Sequence, residues 1–326
     1  MYRLEGNYRQ IGAEYGLLLR TNRIPLPLVS KTRLDFARAC EPFVRDYAPE
    51  LLDEIEGIAE GGGYDLDRIK AAALAPGARP ACSVLAISGA HTASGRPLVG
   101  RNYDWFPSAL GYTAFCEVHP HGAIPSLGCN DMFVGRMDGL NAAGVAVAIT
   151  AVEGGRDQPG LMFLLAVRVV LDRCRSTQDA VDFLLRVRHA RAINFLVADA
   201  SGDLAAVEAA PCKAVVRRSD NGVMVVTNQF QSEDMARMEK VYRRPPNSYP
   251  RLCALREWFA GQGGPITAGD VQAILSLPYP RGVCVLSMTR RGVRTVWSWT
   301  AELGTGEYAF AIGSPLESPY RTYTLA

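Results

Sequence analysis

The chain of 326 residues is 48% apolar, enough for one large domain with a substantial core or for two ordinary ones. Its formal charge of +2, with only four lysines (Lys31, Lys70, Lys213, Lys240) among 35 basic residues, offers no basic face for nucleic acid. No apolar run approaches the ~20 residues needed to cross a bilayer, and the opening Met1-Tyr2-Arg3-Leu4-Glu5-Gly6 lacks the apolar core of a secretion signal, so the expected location is the cytoplasm, with no membrane partner.

The first 81 residues read as helical. Ile11, Tyr15, Leu18 and Leu19 recur at helical spacing after Asn7, a good N-cap residue. Pro49 reads as a first-turn proline before the stripe Leu51, Leu52, Ile55, Ile58 and Ala59, which Gly61-Gly62-Gly63 stops. A short helix is predicted over 65–73, and the Pro/Gly/Ala-rich connector Ala75-Pro76-Gly77-Ala78-Arg79-Pro80-Ala81 follows. Strands are then predicted over 82–88, 97–103, 113–118, 132–137 and 145–152, with turns at Ala93-Ser94-Gly95-Arg96 and Asn141-Ala142-Ala143-Gly144. Two helices are predicted over 161–174 and 177–187, the second capped by Ser176. Strands return over 193–199, 204–209 and 222–227; Asp199 and Asp203 flank Ala200-Ser201-Gly202 as a hairpin turn asks. The stretch 233–258 reads as helical at its ends and broken by Pro245, Pro246 and Pro250, its arginines forming a solvated face and turn. A helix over 268–276 precedes strands over 283–288, 293–299 and 308–312. Helices grouped between runs of antiparallel strands disfavour a doubly wound parallel sheet and point to an α+β fold with helices layered outside packed sheets.

The eight cysteines (Cys40, Cys82, Cys116, Cys129, Cys174, Cys212, Cys253, Cys284) are scattered without close pairs, so no disulfide framework is expected. Cys116, His119, His121 and Cys129 match no common zinc spacing, and no metal site is assigned. Cys82 stands apart because it follows the connector directly. Cut there, it would carry a thiol and a free α-amine on one residue. With ordinary pKa values of about 7.7–8.0 for the amine and roughly 8.5 for the thiol, the amine can take the thiol proton and later return one to a leaving group.

Three segments carry a resemblance: Leu4-Glu5-Gly6 with Ile11-Gly12 and Tyr15-Gly16; Cys82-Ser83 leading to Gly100-Arg101-Asn102-Tyr103-Asp104-Trp105; and Asp138-Gly139-Leu140-Asn141 with Gly144-Val145. In this order they resemble the acyl-coenzyme A:6-aminopenicillanate acyltransferase family, cysteine N-terminal-nucleophile (Ntn) hydrolases related to the choloylglycine hydrolases. The resemblance implies an αββα sandwich made as a precursor that cuts its own Ala81–Cys82 bond. Cutting the 326-residue chain after residue 81 leaves 245 residues in the second piece, and the two fragments (1–81 and 82–326) would stay associated as one domain. It also implies that Cys82 is the nucleophile, that Asp104 orients the freed amine, that the fixed charge of Arg101 favours thiolate, and that the Asn228 amide helps hold the oxyanion. Residues three apart on a strand face opposite ways, so the strand is expected to bend or end between Arg101 and Asp104.

The sequence departs from the family pattern in two places. Cys284 is followed by Val285 where relatives carry an arginine, and Arg281 is the nearest substitute. Ile149-Thr150-Ala151 lacks the second asparagine of the choloylglycine branch, so a backbone N–H is expected in its place. Tyr103, Trp105 and Phe106 are candidates for an acyl pocket, although aromatic clusters beside a strand also serve as core. The expected reaction is hydrolysis of a linear, non-peptide C–N amide in a small-molecule substrate, without a cofactor. Acyl transfer from a coenzyme A thioester or an amide donor to a small amine is the near alternative. A non-catalytic binding module of the same fold is the distant one, and a papain-like protease is disfavoured because Cys82 leads into an apolar strand rather than a helix. Homo-oligomerisation is left open.

Overall fold

Strand β1 (Tyr2–Gly6), within the stretch read as helical, runs parallel to β4 (Ala114–Pro120), with Leu4 beside Val118. The computed structural model describes residues 1–75, 81–130, 135–219, 221–240, 243–287 and 292–325, so that 76–80 of the connector lie outside the described residues. Among the described residues, the larger sheet has eight strands in the order β1, β4, β5 (Ser126–Asn130), β6 (Asp138–Asn141), β7 (Ala146–Ala151), β8 (Ile193–Ala198), β9 (Leu204–Ala210) and β10 (Lys213–Arg218). The smaller has six: β11 (Val223–Val226), β2 (Ala81–Ile87), β3 (Leu98–Trp105), β12 (Arg294–Glu302), β13 (Glu307–Ile312) and β14 (Arg321–Thr324). Every pairing of these strands other than β1 with β4 is antiparallel.

Alternation along β2 builds the layers. Cys82, Val84 and Ala86 join the core between the sheets, while Leu85 and Ile87 pack outward. The outward face is covered by α8 (Ser248–Ala260) and α9 (Ala268–Ser276), through Leu252, Leu255, Val271 and Leu275. The larger sheet is covered by α5 (Phe163–Arg173) and α6 (Thr177–Arg186), together with α1 (Tyr8–Thr21), α2 (Lys31–Tyr47), α3 (Glu50–Gly62) and α4 (Leu66–Leu74). The result is the expected α+β sandwich in four layers, αββα. A single core cluster takes residues from both sides of the Ala81–Cys82 bond. Among the described residues no helix is long and apolar enough to cross a membrane.

Local signals account for most elements. Asn7 forms a capping box with Gln10, Asp65 and Ser176 cap α4 and α6, and Gly63 closes α3 in the left-handed conformation at φ 65°. Pro250 sits in the first turn of α8, where a proline is tolerated, and so does not break it. The predicted strand over 132–137 is not formed at 135–137, and 132–134 lie outside the described residues; β5 and β6 flank this segment instead. No strand forms over 283–287, where only an isolated bridge from Cys284 to Pro278 exists, and 288 lies outside the described residues. Edge strands β10 and β14 have half-exposed or exposed patterns and lack the apolar alternation that reveals a strand.

The glycines of the N-terminal segment have a steric cause. A Cβ on Gly12 would lie 2.1 Å from the Glu54 carbonyl oxygen, and one on Gly16 would lie 2.3 Å from that of Ile58. Gly57 and Gly61 meet α1 equally closely from α3, at 2.1 Å from Arg9 O and 1.9 Å from Ala13 O. The two helices therefore touch backbone to backbone. Gly12→Val is expected to cost about 3 kcal/mol or more in urea unfolding, since the backbone contacts have no flexible side chain to yield. An unchanged unfolding midpoint would refute this close packing.

Candidate active site

The site forms where β11 leaves its partner. The β11–β2 ladder ends with Val226 opposite Val84, and continuing that register puts Asn228 opposite Cys82. Side chains then take over the backbone groups of Cys82. Its N–H donates to Asn228 Oδ1 at 3.0 Å, and its carbonyl accepts from Arg251 Nη1 at 2.6 Å. On the opposite edge β2 stays paired with β3, with Ala81 beside Asp104 and Cys82 beside Tyr103. Cys82, Arg101, Asp104, Asn228 and Arg251 are all buried.

Arg101 and Asp104 reach this point from opposite faces of β3. Arg101 points between the sheets, where Nη2 donates to Cys82 Sγ at 3.2 Å and the guanidinium lies over the rings of Tyr103 and Trp297 at 5.6 and 5.0 Å. Asp104 points toward the helices, accepting from Thr295 Oγ1 at 2.6 Å and lying 3.4 Å from Arg251 Nη1. Strand β3 does not end between them; its ladder with β2 is continuous from Leu98 to Asp104. The irregularity lies in β12, whose register shifts between Thr295 and Trp297. The expectation that β3 ends between them is therefore corrected: the two residues lie on opposite faces of a strand paired throughout with β2.

Arg251 is a site residue that the sequence pattern does not single out. The arginines of 233–258 read as a solvated face and turn, yet Arg251 is fully buried in α8 and also donates to Ser83 Oγ at 2.6 Å and Asn228 Oδ1 at 2.8 Å. A signal is present, because Arg251 and Leu255 lie four apart, on the helix face that buries Leu255 against β2. Arg281, expected to stand in for the family arginine, is instead exposed in the turn after α9. Tyr103 is core, stacked on Trp297 at 4.4 Å between centroids, whereas Trp105 and Phe106 are half-buried where β3 runs out. Thr150, in the stretch that lacks the second asparagine, donates to Thr227 O, and Ala151 O accepts from Asn228 Nδ2 at 2.9 Å. Among the described residues no three His, Cys, Asp or Glu side chains converge as a metal site requires.

Burial governs the electrostatics. It pushes the Cys82 thiol up to about 11, against the lowering influence of Arg101, so the resting sulfur is protonated at neutral pH. Burial likewise raises the Asp104 carboxyl above its usual range while Arg251 pulls it down, and it lowers the Arg251 guanidinium. The second Asp104 oxygen, Oδ2, is buried with no hydrogen-bond partner among the described residues. A thiol held this high is a nucleophile at neutral pH only if a base takes its proton.

Two stacked sheets between helical layers are the architecture of the Ntn-hydrolase fold. Among solved structures the chain is similar to the penicillin V acylase of Agrobacterium tumefaciens, with 20% identity, a TM-score of 0.51, and 75% of this chain and 86% of that one covered. It also matches an N-acylethanolamine-hydrolyzing acid amidase ortholog of Caenorhabditis elegans (16% identity, TM-score 0.49, 68% and 92% covered). A third match is a variant of the conjugated bile acid hydrolase of Clostridium perfringens (13%, 0.45, 74% and 97%). No curated protein sequence matches. The model of the acyl-coenzyme A:6-aminopenicillanic acid acyl-transferase family matches residues 91–257, just over half of the chain, and the chain belongs to that family. The matched segment contains Arg101, Asp104, Asp138, Asn228 and Arg251 and begins nine residues after Cys82.

Proposed function

We propose that the protein is an Ntn amidohydrolase that cuts its own Ala81–Cys82 bond and then cleaves a linear, non-peptide C–N amide through a thioester on Cys82. One observation carries the reading: a buried sulfur with an arginine 3.2 Å away shares its site with a buried carboxylate oxygen, Asp104 Oδ2, that no hydrogen bond among the described residues satisfies. In the unbroken chain the Cys82 nitrogen has one hydrogen, which goes to Asn228. Breaking the peptide bond gives that nitrogen further hydrogens, and Asp104 Oδ2 is the acceptor suited to take one.

Self-cleavage runs in two steps. The Cys82 sulfur bonds to the Ala81 carbonyl carbon as the carbon–nitrogen bond breaks, the thiol proton passing to the departing nitrogen. Water then opens the thioester, returning the thiol and leaving a carboxylate on Ala81. The α-amine so released supplies the missing base for turnover. The sulfur attacks the substrate acyl carbon, the amine takes the thiol proton and passes it to the leaving amine, and water releases the acid. The oxyanion is assigned, as the family resemblance implies, to the Asn228 side-chain amide with a backbone N–H. Trp105 and Phe106, half-buried where β3 runs out, are assigned to the acyl side of the substrate.

The family description favours acyl transfer as a second reading, with a coenzyme A thioester as co-substrate. The test incubates purified protein with a panel of linear N-acyl amides, and separately with acyl-coenzyme A and a small amine. Amine and acid released one for one from an amide are the expected result. Thioester consumed only when the amine acceptor is present would replace hydrolysis by transfer, and no turnover of either would reject both.

A further inference from the structure

The segment Asp138-Gly139-Leu140-Asn141 is part of the resemblance, yet the proposed chemistry leaves Asp138 without a task. Its surroundings are unusual for a structural carboxylate. Asp138 is fully buried at the start of β6 in the larger sheet and crosses the sandwich to Arg101 of the smaller one. Oδ2 accepts from Arg101 Nη1 and from the indole Nε1 of Trp299 at 2.8 Å; Oδ1 accepts from the Cys129 N–H at 3.2 Å and faces the Tyr308 hydroxyl at 3.5 Å. Arg101 Nη1 also donates to Met137 O at 2.8 Å. One edge of the guanidinium is thus tied to the larger sheet, and the other edge ends at the Cys82 sulfur.

We propose that Asp138 is the positioning residue of the nucleophile: it fixes Arg101 so that one Nη reaches Cys82 Sγ, and its negative charge restrains the pull of that arginine on the sulfur. The proposal rests on Cys82 being the nucleophile. A carboxylate at Asp138 and a thiolate at Cys82 compete for the same cation. With Asp138 ionised, Arg101 is already paired, the sulfur keeps its proton at rest, and the transfer of that proton to the amine coincides with attack. A thiolate that was fully formed at rest would be the poorer nucleophile, since reactivity falls as the thiol becomes more acidic. The other charged and titratable groups facing this set are Asp104 from β3, Arg251 from α8, and Tyr103, Tyr308 and Cys129 about the pair; none of them changes in the test.

The test follows alkylation of Cys82 by iodoacetamide against pH, read as the mass of the Cys82 peptide. Intact mass separates processed from unbroken chains, so midpoints are compared within one covalent state. Asp138→Asn is expected to lower the midpoint by about one pH unit, because Arg101 loses its counter-ion and turns to the sulfur. Trp299→Phe, which removes a hydrogen bond from the same oxygen without changing charge, is expected to leave the midpoint in place. In an Arg101→Gln background, Asp138→Asn is expected to add no further shift, since its effect passes through the arginine. Should Asp138→Asn fail to fold alone, Asp138→Ser, equally uncharged and smaller, carries the test with the same expected lowering, and equal midpoints for R101Q and R101Q/D138N then place that effect in the arginine. An unchanged or raised midpoint in D138N, or a shift that persists without Arg101, overturns it. Failure of self-cleavage would show separately, as an absence of a second N-terminus in the parent protein, and leaves the thiol titration readable.

Discussion

Purified parent protein is expected to give two chains by intact mass, residues 1–81 and 82–326, whereas Cys82→Ala stays a single full-length chain with amide turnover reduced at least about a thousandfold. The substitution removes one sulfur atom from a buried position and leaves the backbone bonds to Asn228 and Arg251 available, so its cost in stability is of the ordinary order of about 1 kcal/mol. A folded variant separates chemistry from folding. Both losses are expected to share one origin, because in the proposed mechanism the same sulfur attacks the Ala81 carbonyl first and the substrate afterward. The two fragments are expected to remain together, since Glu54 and Tyr8 of the first bond to Arg168 and Asp172 of the second in a buried network, and β1 stays in the larger sheet. A parent chain that is unbroken and fully active would remove the free amine from the mechanism, and with it the role given to Asp104.

The second large effect is expected at Arg251. Its guanidinium bonds to the Cys82 carbonyl, to Ser83 and to Asn228, and it is the cation facing Asp104. Arg251→Met fills similar space but leaves Asp104 buried without its counter-ion and the Cys82 carbonyl without its donor. Breaking a buried pair from one side typically costs about 3–5 kcal/mol, so a lowered denaturation midpoint is expected. Turnover should fall about a hundredfold or more in the protein that remains folded, chiefly in kcat, because the lost contacts hold the nucleophile rather than the substrate. Arg251→Lys should recover part of the stability and little of the activity, since one ammonium cannot reproduce the fork that spans three acceptors. Stability and kcat indistinguishable from the parent would show that Arg251 is a bystander.

Contacts between near neighbours along the chain explain most of what is legible in the sequence. Asn7, Asp65 and Ser176 cap helices through contacts three residues away, Asp199 shapes its own turn by accepting from Ser201, and the alternation along β2 and β3 assigns their faces. Cys82 is legible because a cysteine follows a proline-containing connector, whereas Arg101, Asp104 and Asn228 are legible only through the resemblance of the block 100–105 and the segment ending at Asn228 to the family pattern.

Residue types and short-range periodicity suffice for the layered α+β class and for the chemistry available at Cys82. Which arginine lies beside Cys82 is settled by packing instead, since the helical spacing of Arg251 and Leu255 points to the site only once α8 is docked on β2. Docking of α8 on β11 and β2 buries Arg251 among Cys82, Asn228 and Asp104, while the turn after α9 leaves Arg281 in solvent. The same holds for β3, whose Arg101 and Asp104 lie on opposite faces. A strand can present both at one point only where side chains from another sheet and from a helix meet its neighbour from either side, and no periodicity within the strand records that meeting.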